Sequence, residues 1–224
     1  MMYNMKLTLA VFDMDGTICD TSEGIFNSIH YVEKSMGLRP ASIEQMRTHL
    51  GPPITEAYSK NYKLSGSDLE RAVILHREYS LSKGLYESKV YDLIPELMQM
   101  LKKHGIKISI ATLKNEDIAR KIVKHHNLDQ YIDFVFGALP NQKMNKEEII
   151  NKCIIASECE KSETILIGDS IHDFEGAKGC GIDFIAVTYG YGYVEATMTN
   201  DGSYIFCANS VLDLINYFRR LFDL

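Results

Sequence analysis

The chain has 224 residues, enough for one large α/β domain or a medium domain with a smaller companion. Its formal net charge of −6 argues against nucleic acid as the partner, because phosphate backbones are bound by clustered Lys and Arg. The five cysteines are scattered without a Cys-x-x-Cys pair, which excludes a zinc knuckle or disulfide framework and predicts reduced thiols; no apolar stretch reaches membrane-spanning length and the N-terminus lacks signal-peptide features, so a cytoplasmic protein without membrane contact is expected.

Leu7 to Phe12 is a nearly continuous apolar run, the pattern of a strand buried on both faces of a parallel sheet. It breaks off into Asp13-Met14-Asp15-Gly16-Thr17. Ile18 to Ser22 is a turn with helix N-cap residues, after which Ile25, Ile29, Val32 and Met36 recur at helical spacing until Gly37 and Pro40. Gly51-Pro52-Pro53 is a second break, read equally well as a turn facing the site or a plain connection. Helical periodicity returns at Ile54, Ala57 and Tyr58, and again from Leu69 through Val73 and Leu75. No strand is evident from 18 to 88, so this stretch reads as an all-helical insertion.

Pro95 falls in the first turn of a helix closed by Lys102-Lys103-His104-Gly105. Ile106 to Ala111 is a strand ended by Thr112, and Asn115-Glu116-Asp117 opens the next helix. Asp133 to Gly137 is a short strand, Lys146 to Ile155 a helix, and Thr164 to Gly168 a strand that stops at Asp169. Gly176, Gly179 and Gly181 mark the turn to a strand at Phe184 to Val187. This alternation implies right-handed βαβ units: an α/β fold with a Rossmann-like parallel sheet core, helices on both faces, and an inserted small helical cap. The expected division is 1–17 and 89–224 for the core and 18–88 for the cap.

In an open α/β sheet, ligands sit outside the carboxyl ends of the strands, which puts Asp13 and Asp15 at the mouth of a site. Two acids that close repel unless a cation or a shared proton offsets them. Thr112 places a hydroxyl at a second strand end. Lys143 and Lys146 follow a third, and Gly168-Asp169-Ser170-Ile171-His172-Asp173 sets two more acids beyond a fourth. Together these resemble the motifs of the haloacid dehalogenase superfamily, most of whose members are magnesium-dependent phosphatases. Lys146-Glu147-Glu148-Ile149-Ile150, Gly51-Pro52-Pro53, Gly84-Leu85-Tyr86-Glu87, Gly176-Ala177-Lys178 and Val187 to Gly192 look like its phosphoglycolate-phosphatase-like branch, which favours Lys146 over Lys143. Two departures stand out. Leu113-Lys114-Asn115 replaces a frequent Ser-Lys-Pro, and Asp92-Leu93 replaces a frequent Asp-Gly.

The resemblance implies a hydrolase that removes phosphate from a small phosphorylated metabolite (phosphoglycolate-, nucleotide- or sugar-phosphate-like) with Mg2+ as cofactor. Asp13 would attack phosphorus to give an aspartyl-phosphate. Asp15 would protonate the leaving oxygen and then activate water, a role that calls for a raised pKa. Asp13, the backbone carbonyl of Asp15 and Asp169 would hold the metal, and Thr112 and Lys146 the phosphate oxygens. Gly16 would let backbone N–H groups approach the phosphate. Asp173 would hold a metal-bound water or orient Lys146, with Ser170 in support. The rivals are a phosphomutase of the β-phosphoglucomutase type and a non-catalytic phospho-accepting signalling or binding domain. A monomer or homodimer is expected. Tyr189-Gly190-Tyr191-Gly192-Tyr193 reads as a turn of packing tyrosines bordering the site or a dimer contact; His104, His125 and His126 read as structural.

Overall fold

The computed structural model describes residues 6–139, 142, 144–192 and 204–223. In chain order its strands are β1 (Leu9–Phe12), β2 (Cys19–Asp20), β3 (Lys89–Val90), β4 (Lys107–Asn115), β5 (Phe134–Ala138), β6 (Thr164–Gly168), β7 (Asp183–Val187) and β8 (Phe206–Ala208). The helices are α1 (Ser22–Met36), α2 (Ile43–Arg47), α3 (Ile54–Tyr62), α4 (Gly66–Ser82), α5 (Ile94–Lys103), α6 (Glu116–His125), α7 (Lys146–Ser157), α8 (Ile171–Cys180) and α9 (Val211–Leu221).

Six strands pair in parallel in the order β5-β4-β1-β6-β7-β8. The full burial of β1 follows from its place between β4 and β6 with helices on both sides. Leu9 and Val11 point to the face covered by α7 and α8, where they meet Ile149, Ile150, Cys153, Ala177 and Cys180. Ala10 and Phe12 point to the other face, against Leu97, Met98 and Leu101 of α5 and Phe218 of α9. Burying each such side chain is worth about 1.5–3 kcal/mol, so β1 is anchored from two directions. The chain leaves β1 toward β4 and β5, then returns to β6 on the opposite side. The carboxyl ends of β1 and β6 therefore flank a topological switch point. Phe12 is level with both Ile110 and Ile167, so Asp13 lies one residue beyond that line, and Thr112 and Asp169 two.

Helices α1, α3 and α4 close on a small core of their own around Val32, Tyr58 and Ala72. The stretch 18–88 is not purely helical: Cys19–Asp20 pairs antiparallel with Lys89–Val90 where the chain leaves and rejoins the sheet-bearing part. A two-residue strand has no periodicity to read. Gly176 and Gly179 are not in a turn either. Both lie inside α8, and only Gly181, at φ 68°, ends it. A Cβ at Gly176 would come 2.8 Å from Lys146 Cγ, and one at Gly179 2.4 Å from Glu147 Oε2, so these glycines let α8 press against the start of α7. Strand β4 runs past Thr112 to Asn115, with its register to β5 shifting between Ala111 and Asn115. β8 and α9 extend the sheet and cover it beyond Val187, where no element was expected. Cys19, Cys153 and Cys180 are buried. Among the described residues no helix is long and apolar enough to cross a membrane.

Candidate active site

Three acids and a lysine converge beyond β1 and β6. Asp13 follows β1 directly, its backbone N–H donating to Ile167 O at 2.9 Å. Asp169 follows β6. Asp173 sits in the first turn of α8, where a capping box fixes it: its Oδ2 accepts from the Ser170 N–H at 3.0 Å and the Ser170 hydroxyl at 2.6 Å. Lys146 opens α7, which is likewise started by a capping box between Asn145 and Glu148. A cation at a helix N-terminus is disfavoured by the macrodipole, and here carboxylates offset it. Its Nζ lies 2.6 Å from Asp13 Oδ1 and 2.7 Å from Asp173 Oδ1, with all three side chains almost fully buried. Lys143 lies outside the described residues.

The electrostatics follow from three buried carboxylates sharing one ammonium. Burial, then Asp173, push the Asp13 carboxyl well above the usual carboxylate range, against the pull of Lys146. Burial and Asp173 likewise raise Asp169 to about 6, although the N–H groups of Tyr191 and Gly192 donate to its Oδ2. For Lys146 burial disfavours the charge, but Asp13 and Asp173 together outweigh it and the ammonium is held above its ordinary value. One oxygen from each of Asp13, Asp169 and Asp173 lies within 4.8 Å of the others. Excess negative charge carried on hard oxygen donors is what a small divalent cation needs, so the residues present fit one.

The other expected residues fall around this centre. Gly16 adopts φ 81°, and a Cβ on it would meet Asp169 Oδ2 at 2.3 Å. Its own N–H donates to Cys19 O at 2.9 Å, so the close approach it permits is that of the Asp169 carboxylate. Thr112 is buried at its strand position, and its hydroxyl accepts from the Lys114 N–H at 3.2 Å. Asp15 faces a different set of partners: Lys114 Nζ donates to both its oxygens at 2.9 Å, and the Thr21 hydroxyl donates to Oδ1 at 2.6 Å. Sequence reasoning assigned no role to Lys114 or Thr21. The lysine kept from Ser-Lys-Pro within Leu113-Lys114-Asn115 was the available signal for the first. The Tyr189–Gly192 turn does border the site. The Tyr189 hydroxyl donates to Thr17 O at 2.9 Å, and the Thr17 hydroxyl donates to Asp169 Oδ1 at 3.3 Å. Tyr193 lies outside the described residues. His104 stacks on Phe222 and Ser88 bonds to His126, both structural contacts.

Residues 10–187 match the family model of haloacid dehalogenase-like hydrolases. The chain belongs to that family. It is 30% identical over 200 residues to the 5'-nucleotidase of Pseudomonas aeruginosa, covering 89% of this chain and 90% of that protein. It is 28% identical over 196 residues to the tyrosine-protein kinase PtkA of Mycobacterium tuberculosis, covering 85% of this chain and 66% of that protein. Its fold is similar to that of a solved structure described as a "predicted phosphatase" from Clostridium acetobutylicum, with TM-score 0.87, 28% identity, and 96% and 99% of the two chains covered. This haloacid dehalogenase-like chain is thus a hydrolase of the phosphatase type.

Proposed function

We propose that this hydrolase removes phosphate from a small phosphate monoester through an aspartyl-phosphate on Asp13, with Mg2+ held by Asp13 and Asp169. The observation that carries the reading is the buried Asp13–Lys146–Asp173 chain, with Asp169 in reach at the switch point. Asp13 combines the two properties a carboxylate nucleophile needs. It is removed from bulk water, and a fixed ammonium steers one of its oxygens, leaving the carboxylate aimed from a strand end. Lys146 is then placed to balance charge on the phosphoryl oxygens, and Asp173 keeps it there. Bound Mg2+ would neutralise the anionic substrate against the anionic nucleophile. Thr112 would donate to a phosphoryl oxygen. Asp15, on the separate Lys114–Thr21 set, would give a proton to the leaving oxygen and take one from the attacking water. Residues 18–88 would act as the cap that excludes bulk water and selects the leaving group, with hinges near 18–21 and 85–90. The 5'-nucleotidase relative supports a nucleoside monophosphate as the first substrate to try.

The test is phosphate release from a panel of nucleotide, sugar and two-carbon phosphate esters, with and without Mg2+, for wild type and Asp13→Asn. Mg2+-dependent release that vanishes in the variant is the expected result. Isomerised sugar phosphate with little free phosphate would point instead to a phosphomutase, and phosphate transferred to tyrosine would point to a kinase.

A further inference from the structure

The first turn of α1 has an unusual cap. Its N-cap residue, Thr21, makes no side-chain capping bond. The Thr21 N–H donates to the hydroxyl oxygen of Tyr191 at 2.6 Å, the Ser22 N–H is shared between that oxygen at 3.1 Å and Asp20 Oδ1 at 3.0 Å, and the Tyr191 hydroxyl donates onward to Asp20 Oδ1 at 2.7 Å. The N3 amide that an N-cap side chain would serve, the Gly24 N–H, donates to Glu87 O at 3.1 Å, and the Thr21 hydroxyl rests on Asp15 at 2.6 Å. On the other side, the backbone N–H of the same Tyr191 donates to Asp169 Oδ2 at 2.7 Å. The turn is seated tightly: a Cβ on neighbouring Gly190 would meet both Asp169 Oδ2 and Gly16 O at 2.4 Å.

We propose that Tyr191 is a positioning residue for Asp15, its hydroxyl holding Thr21 where that side chain orients the acid–base carboxylate while its backbone ties the same hinge to Asp169. The inference rests on the phosphatase reading of Asp15 given above. Without the hydroxyl, the Thr21 N–H loses its acceptor while the Ser22 N–H keeps Asp20, so the Thr21 backbone is no longer pinned and its side chain is no longer held on Asp15. The backbone contact to Asp169 would remain.

Tyr191→Phe keeps the ring and the N–H and removes only the hydroxyl. The decisive comparison is kcat/KM for two esters, an alkyl phosphate whose leaving alkoxide needs a proton and a nitrophenyl phosphate whose leaving phenolate does not. We expect a loss of about tenfold or more on the alkyl ester, a smaller loss on the aryl ester, and an unchanged Mg2+ activation constant. Thr21→Val should show the same bias between esters, and the double variant should lose little more than either alone. Amide hydrogen exchange at Thr21 should quicken in Tyr191→Phe. Equal losses on both esters, no loss, or unchanged exchange would overturn the proposal. Failure of the phosphatase reading itself would show in wild type, as no hydrolysis of either ester.

Discussion

Lys114 places its ammonium 2.9 Å from each carboxylate oxygen of Asp15, a forked ion pair between the end of β4 and the turn after β1. Only the Thr21 hydroxyl shares that carboxylate with it among the described residues. Both side chains are mostly buried, so removing one leaves the other poorly compensated and lowers stability as well as disturbing the site's geometry. Lys114→Met preserves length and removes charge, and we expect kcat/KM to fall by about tenfold to a hundredfold, beyond what the lowered melting temperature explains. Steady-state kinetics beside a thermal melt checks this; wild-type turnover in the variant would remove Lys114 from the site.

Gly176 has no room for a side chain. A Cβ there would stand 2.8 Å from Lys146 Cγ and 2.9 Å from Ile150 Cδ1, both on the helix that α8 packs against. Gly176→Ala would ordinarily favour a helix, but here the methyl must displace the stem of the lysine that holds Asp13. Overpacking of this kind costs about 1–3 kcal/mol. We expect lower stability in urea together with a kcat loss larger than the folded fraction explains.

The acidic strand ends could be read from the sequence because their signal is local. Apolar runs ending in Asp13 and Asp169 are continuous stretches, and Lys146 and Asp173 lie in short contiguous runs that resemble the family's motifs. What escaped reading was non-local. Gly176 looks like a turn residue in one dimension, and only the proximity of α7 gives it another reason to be glycine. The partners of Asp15 come from 6 and 99 residues away, and the Tyr191 cap of α1 from about 170; no spacing rule connects them. The β2–β3 ribbon is too short for alternation to register. β8 pairs with β7 at the far edge of the sheet, where three residues carry the strand.

Leu93 occupies the left-handed region at φ 67°, ψ 2°, as the N-cap of α5, and its carbonyl accepts from the Leu97 N–H at 2.9 Å. This is the position at which the resembling branch often has glycine. A branched side chain there is strained by about 1–2 kcal/mol, of which glycine's extra freedom when unfolded takes back about half. Leu93 is partly exposed and surrenders little packing. Leu93→Gly should therefore raise the unfolding free energy by up to about 1 kcal/mol with kcat unchanged, measured by chemical denaturation.

His49 is buried beside Tyr58 and Tyr62, and neither ring nitrogen has a hydrogen-bond partner among the described residues. Burial pulls its pKa down to about 4, with Glu33 opposing. Unfolding frees the ring to protonate near its ordinary value of about 6.5, so between these values the unfolded state binds more protons. This contribution to stability is complete above about pH 6.5 and is lost as pH falls toward about 4. At about pH 5 the loss should reach about 2 kcal/mol. His49→Leu removes it, so the variant should gain on wild type as the solution is acidified from about pH 7.5 to 5. A constant difference across that range would show that the ring is not held neutral.

The carboxylate cluster should respond to pH with the opposite sign. Asp169 has its folded pKa raised to about 6, by burial and by Asp173, so below that value the folded state binds more protons than the unfolded one. In metal-free protein this destabilises the fold progressively as pH rises from about 4 to about 6. A divalent cation bound to ionised Asp13 and Asp169 would reverse the penalty, because it stabilises the form that repulsion disfavours. Saturating Mg2+ should thus raise the melting temperature more at about pH 7.5 than at about pH 5, and Asp169→Asn should abolish the difference. Calcium, larger and less demanding in geometry, should stabilise wild type as well without supporting turnover. Melting curves at the two pH values, with and without each cation, separate a built metal site from a cluster of acids relieved by protons alone. Equal stabilisation at both pH values would mean that Mg2+ binds elsewhere on this acidic chain.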